Sequence, residues 1–201
     1  MKLYYAVGTC SMGIHLLLEE IGKPYETHLL KFSSGDQKAP EYLAINPKGK
    51  VPCLDAGEDG VLTEWPAIAF YLAKRFEQAK LLPADALAQV RALEIIDYAV
   101  ATVHMRGFSR IAAPANFSSD GDPELVKKTG LDIFTAGLAL LEKTLGDKEY
   151  FLGEFSIADA AVFNLEWWAN RRSIAIPGRL KAHFDRMMAR PSVQRMLAAE
   201  Q

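Results

Sequence analysis

Cysteine is scarce in this chain: Cys10 and Cys53 are the only two among 201 residues. Two cysteines make no disulfide scaffold, so a reducing compartment, the cytoplasm, is expected. A surplus of either charge is missing as well, with 23 basic against 25 acidic residues and a net charge of −2. Nucleic-acid binders ordinarily carry a basic excess, and none is expected as a partner here. No apolar run approaches the roughly 18 residues of a membrane span, and the run in Met1 to Val7 reaches Gly8 too soon for a secretory signal. Internal repeats and low-complexity tracts are lacking too. Half of the residues are hydrophobic, enough to bury one large core or two small ones.

What is present changes rhythm part-way along. Lys2 to Val7 is a strand-like run, and Ile14, Leu17, Leu18 and Ile21 then recur at helical spacing before Gly22, a helix stop. Tyr25 to Phe32 reads as a second strand, and Glu41-Tyr42-Leu43 as a short helix ended by Asn46-Pro47-Lys48-Gly49. Residues 51–55 and 61–64 flank the turn Gly57-Glu58-Asp59-Gly60, a hairpin signal, and Pro66 fits the first turn of a helix carrying Ile68, Tyr71, Leu72 and Phe76. The order is βαβαββα. Beyond Leu82-Pro83-Ala84-Asp85 only helical patterns follow. Leu93, Ile96, Val100, Val103 and Gly107 form one stripe, and Phe134, Leu138, Leu141 and Leu145 another. Ser156-Ile157-Ala158-Asp159 is a capping box, and Pro177 and Pro191 open the last two helices. The expected organisation is an α/β domain over residues 1–78, a linker over 79–85 and an all-helical domain over 86–201.

Cys10 stands between the first strand and the first helix, where thioredoxin-like redox sites begin, yet the position of a second cysteine is Gly13. Unpaired N–H groups and the positive end of a helix favour thiolate over thiol, which makes Cys10 a candidate site. The competing reading is a small residue filling a strand-to-helix corner. Ser11 offers either a hydroxyl for a neighbouring thiolate or a helix cap. Cys53, one member of an alternating strand, reads as core. Asp97, Ala101, His104 and Phe108 fall at spacings of 4, 3 and 4 and would share one face of an α-helix, with His104 either a site group or a helix-face histidine.

These motifs together resemble the cytosolic glutathione S-transferases, a thioredoxin-like domain joined to an all-helical one, over essentially the whole length. Among them the chain looks closest to the bacterial beta class, whose signature thiol matches Cys10. Asn46-Pro47-Lys48-Gly49-Lys50-Val51-Pro52, Leu62-Thr63-Glu64 leading into Ala67-Ile68, Val103-His104 followed by Gly107-Phe108, and Ser156 to Asp159 carry the resemblance. It implies a cytoplasmic homodimeric enzyme that uses glutathione as a substrate, needs no metal, and conjugates the tripeptide to a small hydrophobic electrophile. Two alternatives stand beside it: a thiol transferase or peroxidase working through a mixed disulfide on Cys10, and a non-catalytic protein-binding module of the same fold.

By the same resemblance Cys10, Ser11 and His104 are the catalytic candidates. Lys50, Val51, Pro52, Glu64, Trp65 and Asp97 are the glutathione-binding candidates, with a cis bond before Pro52 presenting Val51's backbone and Glu64 receiving the γ-glutamyl end. Phe108, Phe117, Trp167 and Trp168 would line an apolar pocket or serve as core. Trp65 departs from the small residue usual in relatives, and either leaves its own backbone N–H available with its ring over the ligand or against the partner subunit, or blocks the pocket. Asp97 and Met105 replace an asparagine and a lysine frequent in the class.

Overall fold

The computed structural model describes residues 1–118 and 121–200 of the chain. They divide into two compact units, one made of residues 1–82 joined by the segment from Met188 onward, the other of residues 83–187.

In the first unit, strands β1 (Lys2–Tyr5), β2 (Glu26–Leu29), β3 (Cys53–Asp55) and β4 (Val61–Thr63) form one sheet in the order β2-β1-β3-β4. β1 pairs parallel with β2, Lys2 opposite Glu26, and antiparallel with β3, Tyr4 opposite Cys53; β3 pairs antiparallel with β4. A parallel pair needs a crossover, and helix α1 (Ser11–Ile21) supplies it. Gly22, at φ 68°, closes α1 in the left-handed conformation that glycine adopts without penalty. A short α2 (Pro40–Leu43) follows β2, and α3 (Trp65–Arg75) follows β4 with Pro66 in its first turn. The element order is the βαβαββα expected.

Helical spacing predicts one buried stripe on α1, but every residue from Ser11 to Leu18 is buried, His15 and Leu16 included. The cause lies far along the chain. Helix α9 (Pro191–Ala199) packs on α1, Arg190 pairing with Glu20 at 2.8 Å and Arg195 with Glu19 at 2.7 Å. Glu200, itself buried, meets His15 Nδ1 at 2.9 Å and accepts the Gly8 N–H at 3.3 Å. α1 is thus covered on the side that a two-layer unit would leave to water.

The second unit is helical. One continuous helix runs as α4 (Ala86–Asp97), a π-helical stretch over Tyr98–Phe108 and a final turn, α5 (Ser109–Ala112). After it come α6 (Pro123–Leu145), α7 (Ile157–Arg171) and α8 (Gly178–Met188), the last ending at the division between the units. Phe134, Leu138, Leu141 and Leu145 are all buried, as their spacing predicts. Three glycines bring α6 close to the preceding helix. A Cβ on Gly137 would lie 2.5 Å from Val103 Cγ2, and one on Gly130 would lie 2.8 Å from the Gly107 carbonyl oxygen.

The α4 stripe needs correction. Ile96, Val103 and Gly107 are buried, but Leu93 and Val100 are only half-buried, and Ala92, Ile95, Ala99 and Phe108 are buried with the stripe. A π-helix bonds i to i+5, so from Tyr98 to Phe108 the buried face is broader than α-helical counting assigns, taking in Ala99 and Phe108 beside Val103 and Gly107.

The α7 capping box is present as expected. The Ser156 hydroxyl oxygen accepts the Ala158 N–H at 3.3 Å, and Asp159 Oδ2 accepts the Ser156 N–H at 2.8 Å. Asp159 Oδ1 reaches further, to the Phe151 N–H at 2.9 Å and to His183 Nε2 at 3.2 Å. His183 Nδ1 lies 2.9 Å from Glu166 Oε1, and all three side chains of this Asp159–His183–Glu166 group are fully buried. Among the described residues no helix is long and apolar enough to cross a membrane.

Candidate functional site

In the first unit three segments converge on Cys10. The residue is the N-cap of α1, with its side chain making no capping bond. Its thiol instead donates to the Val51 carbonyl at 3.3 Å, and its own carbonyl accepts the Trp65 indole N–H at 3.1 Å. Residue 10 is therefore tied to the loop before β3 by its sulfur and to the start of α3 by its backbone.

The helix position does not produce a thiolate. Loss of water around the sulfur pushes the Cys10 thiol up to about 12, outweighing the lowering by neighbouring backbone N–H groups and by the Lys50 charge, while the Glu64 charge raises it further. This corrects the expectation from the helix dipole alone. Cys10 is a neutral thiol at pH 7, a hydrogen-bond donor. Cys53 is fully buried in the cluster of Tyr4, Ala6, Leu30, Tyr42 and Val51, where burial holds its thiol up at about 11, in keeping with its reading as core.

Ser11 is fully buried, and its hydroxyl is committed to the strand end. It donates to the Ala6 carbonyl at 3.1 Å, accepts the Ala6 N–H at 3.2 Å and lies 2.8 Å from Thr9 Oγ1. The hydroxyl expected beside a ligand thiolate thus holds the β1–α1 corner together.

The Val51–Pro52 bond is cis, and both residues are buried. Val51's carbonyl takes the Cys10 thiol, while its N–H has no partner among the described residues. The expectation that both groups stand ready for a ligand holds for the N–H alone. Lys50 is exposed, and its carbonyl is latched by the Tyr42 hydroxyl at 2.5 Å and by Asn46 Nδ2 at 2.8 Å. Asn46, at the head of the Asn-Pro-Lys-Gly turn, thereby fixes the backbone leading into Val51.

Glu64 is exposed, precedes α3 and has φ 72°, a left-handed value rare outside glycine. Its carboxylate pairs with Lys48 Nζ at 2.7 Å, and Lys48 also donates to Thr63 Oγ1 at 2.9 Å. In the sequence Lys48 stands out only as part of its turn, with no mark of this role. Nothing in the sequence signals the backbone of Glu64. The Trp65 ring is buried inside the unit, 4% exposed, with its indole N–H spent on the Cys10 carbonyl, while its backbone N–H, the group expected to stay available, has no partner among the described residues.

The second unit holds the other candidates. Asp97, the last residue of α4, is exposed, Ala101 is exposed, His104 is half-buried and Phe108 is buried. Of the four, His104 and Phe108 share a face, both lying against Trp168, while Asp97 and Ala101 are exposed. His104 lies against Trp168 with ring centroids 4.6 Å apart, and Phe108 stacks on the same indole at 4.3 Å, nearly parallel. Phe108 also meets Phe134, and Arg172 lies over its ring. Phe108 and Trp168 are thus mainly core, while Phe117 is exposed under Arg110 and Trp167 is half-buried. Among the described residues no group of three or more His, Cys, Asp or Glu side chains is placed to hold a metal ion.

Comparison with known proteins bears on both units. The sequence matches the glutathione S-transferase N-terminal domain over residues 1–74 and the glutathione S-transferase C-terminal domain over residues 109–195. Glutathione S-transferase GstA of Escherichia coli O157:H7 is 33% identical over 209 residues, an alignment covering all of this chain and 98% of that protein. A glutathione transferase homologue from Sulfitobacter, solved with bound glutathione, has a TM-score of 0.91 at 28% identity, covering 98% of this chain and 97% of its own. The beta class glutathione S-transferase of Sphingomonas chungbukensis has a TM-score of 0.86 at 30% identity, covering 100% of this chain and 98% of its own.

Proposed function

This chain is a member of the glutathione S-transferase family, and from that premise we propose that it conjugates glutathione to small hydrophobic electrophiles, as a member of the bacterial beta class. One observation carries the reading. The Val51 N–H, without a partner among the described residues, stands beside a carbonyl already holding the Cys10 thiol. A carbonyl of an extended tripeptide can accept that N–H as an added strand would, which brings its sulfur towards Cys10.

Each residue then has a role. Val51 binds through its N–H, and Pro52 follows it in the same buried corner. Glu64, paired with Lys48, receives the ammonium of the γ-glutamyl end, and exposed Lys50 adds positive charge for an anionic ligand. The sulfur of glutathione is the nucleophile, and the protein contributes placement and stabilisation of its thiolate. Cys10, being a neutral thiol, donates a hydrogen bond to that thiolate instead of attacking the electrophile itself. Ser11 positions Cys10 by holding the β1–α1 corner. By the family resemblance His104 is a catalytic candidate and Asp97 a glutathione-binding one, and His104→Ala is expected to lower the rate of conjugation.

We take the working protein to be a cytoplasmic homodimer, on the scarcity of cysteine and the family resemblance; sedimentation at twice the chain mass tests the second part. Initial rates with an activated aryl halide and glutathione test the activity. Saturable conjugation supports it, and a rate no greater than the uncatalysed one overturns it. The rival in which Cys10 forms a mixed disulfide is separated by Cys10→Ala: complete loss of conjugation would favour the rival, and substantial retention favours the present reading.

A further inference from the structure

A buried indole N–H is costly without an acceptor, and Trp65 finds its acceptor 55 residues away in the chain, at the Cys10 carbonyl. The bond joins the first residue of α3 to the N-cap of α1. Cys10 is consequently held from two directions, its carbonyl by Trp65 at 3.1 Å and its sulfur by Val51 at 3.3 Å. Glu64, directly before Trp65, has φ 72°, a conformation that persists only where its surroundings over-determine it. The Lys48–Glu64 pair is exposed and supplies little of that constraint. The buried constraint next to Glu64 is the Trp65 ring and its bond.

We propose that Trp65 is a positioning residue, whose indole N–H sets where the Cys10 thiol stands and ties that placement to the backbone of Glu64. Its part in catalysis rests on the reading of Cys10 and Glu64 as two parts of the glutathione site. Its effect on the thiol does not, and is measurable without glutathione.

The test is the variant Trp65→Phe, which keeps an aromatic ring and removes the donor. With the Cys10 carbonyl released, the N-cap is free to turn the sulfur away from Val51 and towards water. Alkylation of Cys10 by iodoacetamide should then speed up by roughly three- to tenfold, the scale of one neutral hydrogen bond. Its pH profile should move to lower pH. In conjugation assays KM for glutathione should rise by a similar factor, with kcat changing less.

A folded Trp65→Phe protein whose alkylation rate and pH profile equal those of the parent would overturn the proposal. If the variant does not fold, exchange of the 15N-labelled Trp65 indole N–H in the unaltered protein decides. Slow exchange agrees with a buried bond to Cys10, and exchange within minutes contradicts it. Failure of the unaltered protein to bind glutathione would remove the proposed function, while the alkylation rates would still decide the role of Trp65.

Discussion

At the scale of single residues the central group is the thiol of Cys10. Helix ends lower a thiol's pKa and desolvation raises it, and in this site desolvation prevails, bringing Cys10 to about 12. The sign is direct: below about 12 the neutral form dominates, so ultraviolet titration of the folded protein should show no thiolate step between pH 6 and 9. A step near pH 7 would contradict the assignment of Cys10 as a donor. Ser11→Ala is expected to act through the fold, because it leaves the Ala6 N–H without a partner among the described residues, while the Ala6 carbonyl keeps the Thr9 hydroxyl. A loss of about 1–3 kcal/mol in denaturant unfolding is expected, the cost of a buried polar group left unsatisfied. Cys10 was legible as a position, since a lone thiol between strand and helix stands out in a sequence. Its protonation was not, because desolvation is set by Val51 and Trp65, residues distant along the chain.

At the scale of elements, the buried Asp159–His183–Glu166 group joins α7 to α8. Both ring nitrogens of His183 face carboxylate oxygens, a pattern that calls for two donors and hence for the imidazolium. Burial alone would lower its pKa, but the charge of Glu166 and the hydrogen bonds the ring donates to both carboxylates hold it up at about 9; burial also raises Glu166. A group raised in the folded state stabilises fully below its unfolded pKa, near 6.5 for histidine, and that contribution is lost as pH rises through 9. The loss amounts to roughly 3 kcal/mol. Scanning calorimetry from pH 6 to 10 should therefore show falling thermal stability, and the double variant His183→Phe with Glu166→Leu should flatten that slope, since a buried ion pair exchanged for packed apolar groups is often tolerated. An unchanged slope would remove His183 as its origin. The capping box was readable because Ser156 and Asp159 lie three apart in the chain. His183, 24 residues from Asp159, carried no such mark. The π-helical stretch over Tyr98–Phe108 was likewise illegible, because counting by 3.6 presumes an α-helix. Close contact of α6 with that stretch gives a further expectation: Gly130→Ala places a Cβ 2.8 Å from the Gly107 carbonyl oxygen and should destabilise the protein by about 1–3 kcal/mol in denaturant unfolding.

At the scale of the whole molecule, the switch from strand-and-helix alternation to helix alone was plain in the hydrophobic rhythm, and the sheet order β2-β1-β3-β4 follows from one parallel crossover and one hairpin. The allegiance of α9 was not plain. Its apolar spacing says that one face is buried and not which surface buries it, and the structure places it on α1, with Glu200 reaching Gly8 and His15. The end of the chain thus backs the loop that carries Cys10. Membership of the family, the partnerless Val51 N–H and the paired Glu64 all lead to one claim, that this protein holds glutathione with its sulfur at Cys10. Calorimetric titration of the unaltered protein with glutathione decides it. Saturable heat with a dissociation constant below millimolar is expected; absence of binding at millimolar glutathione would refute the claim.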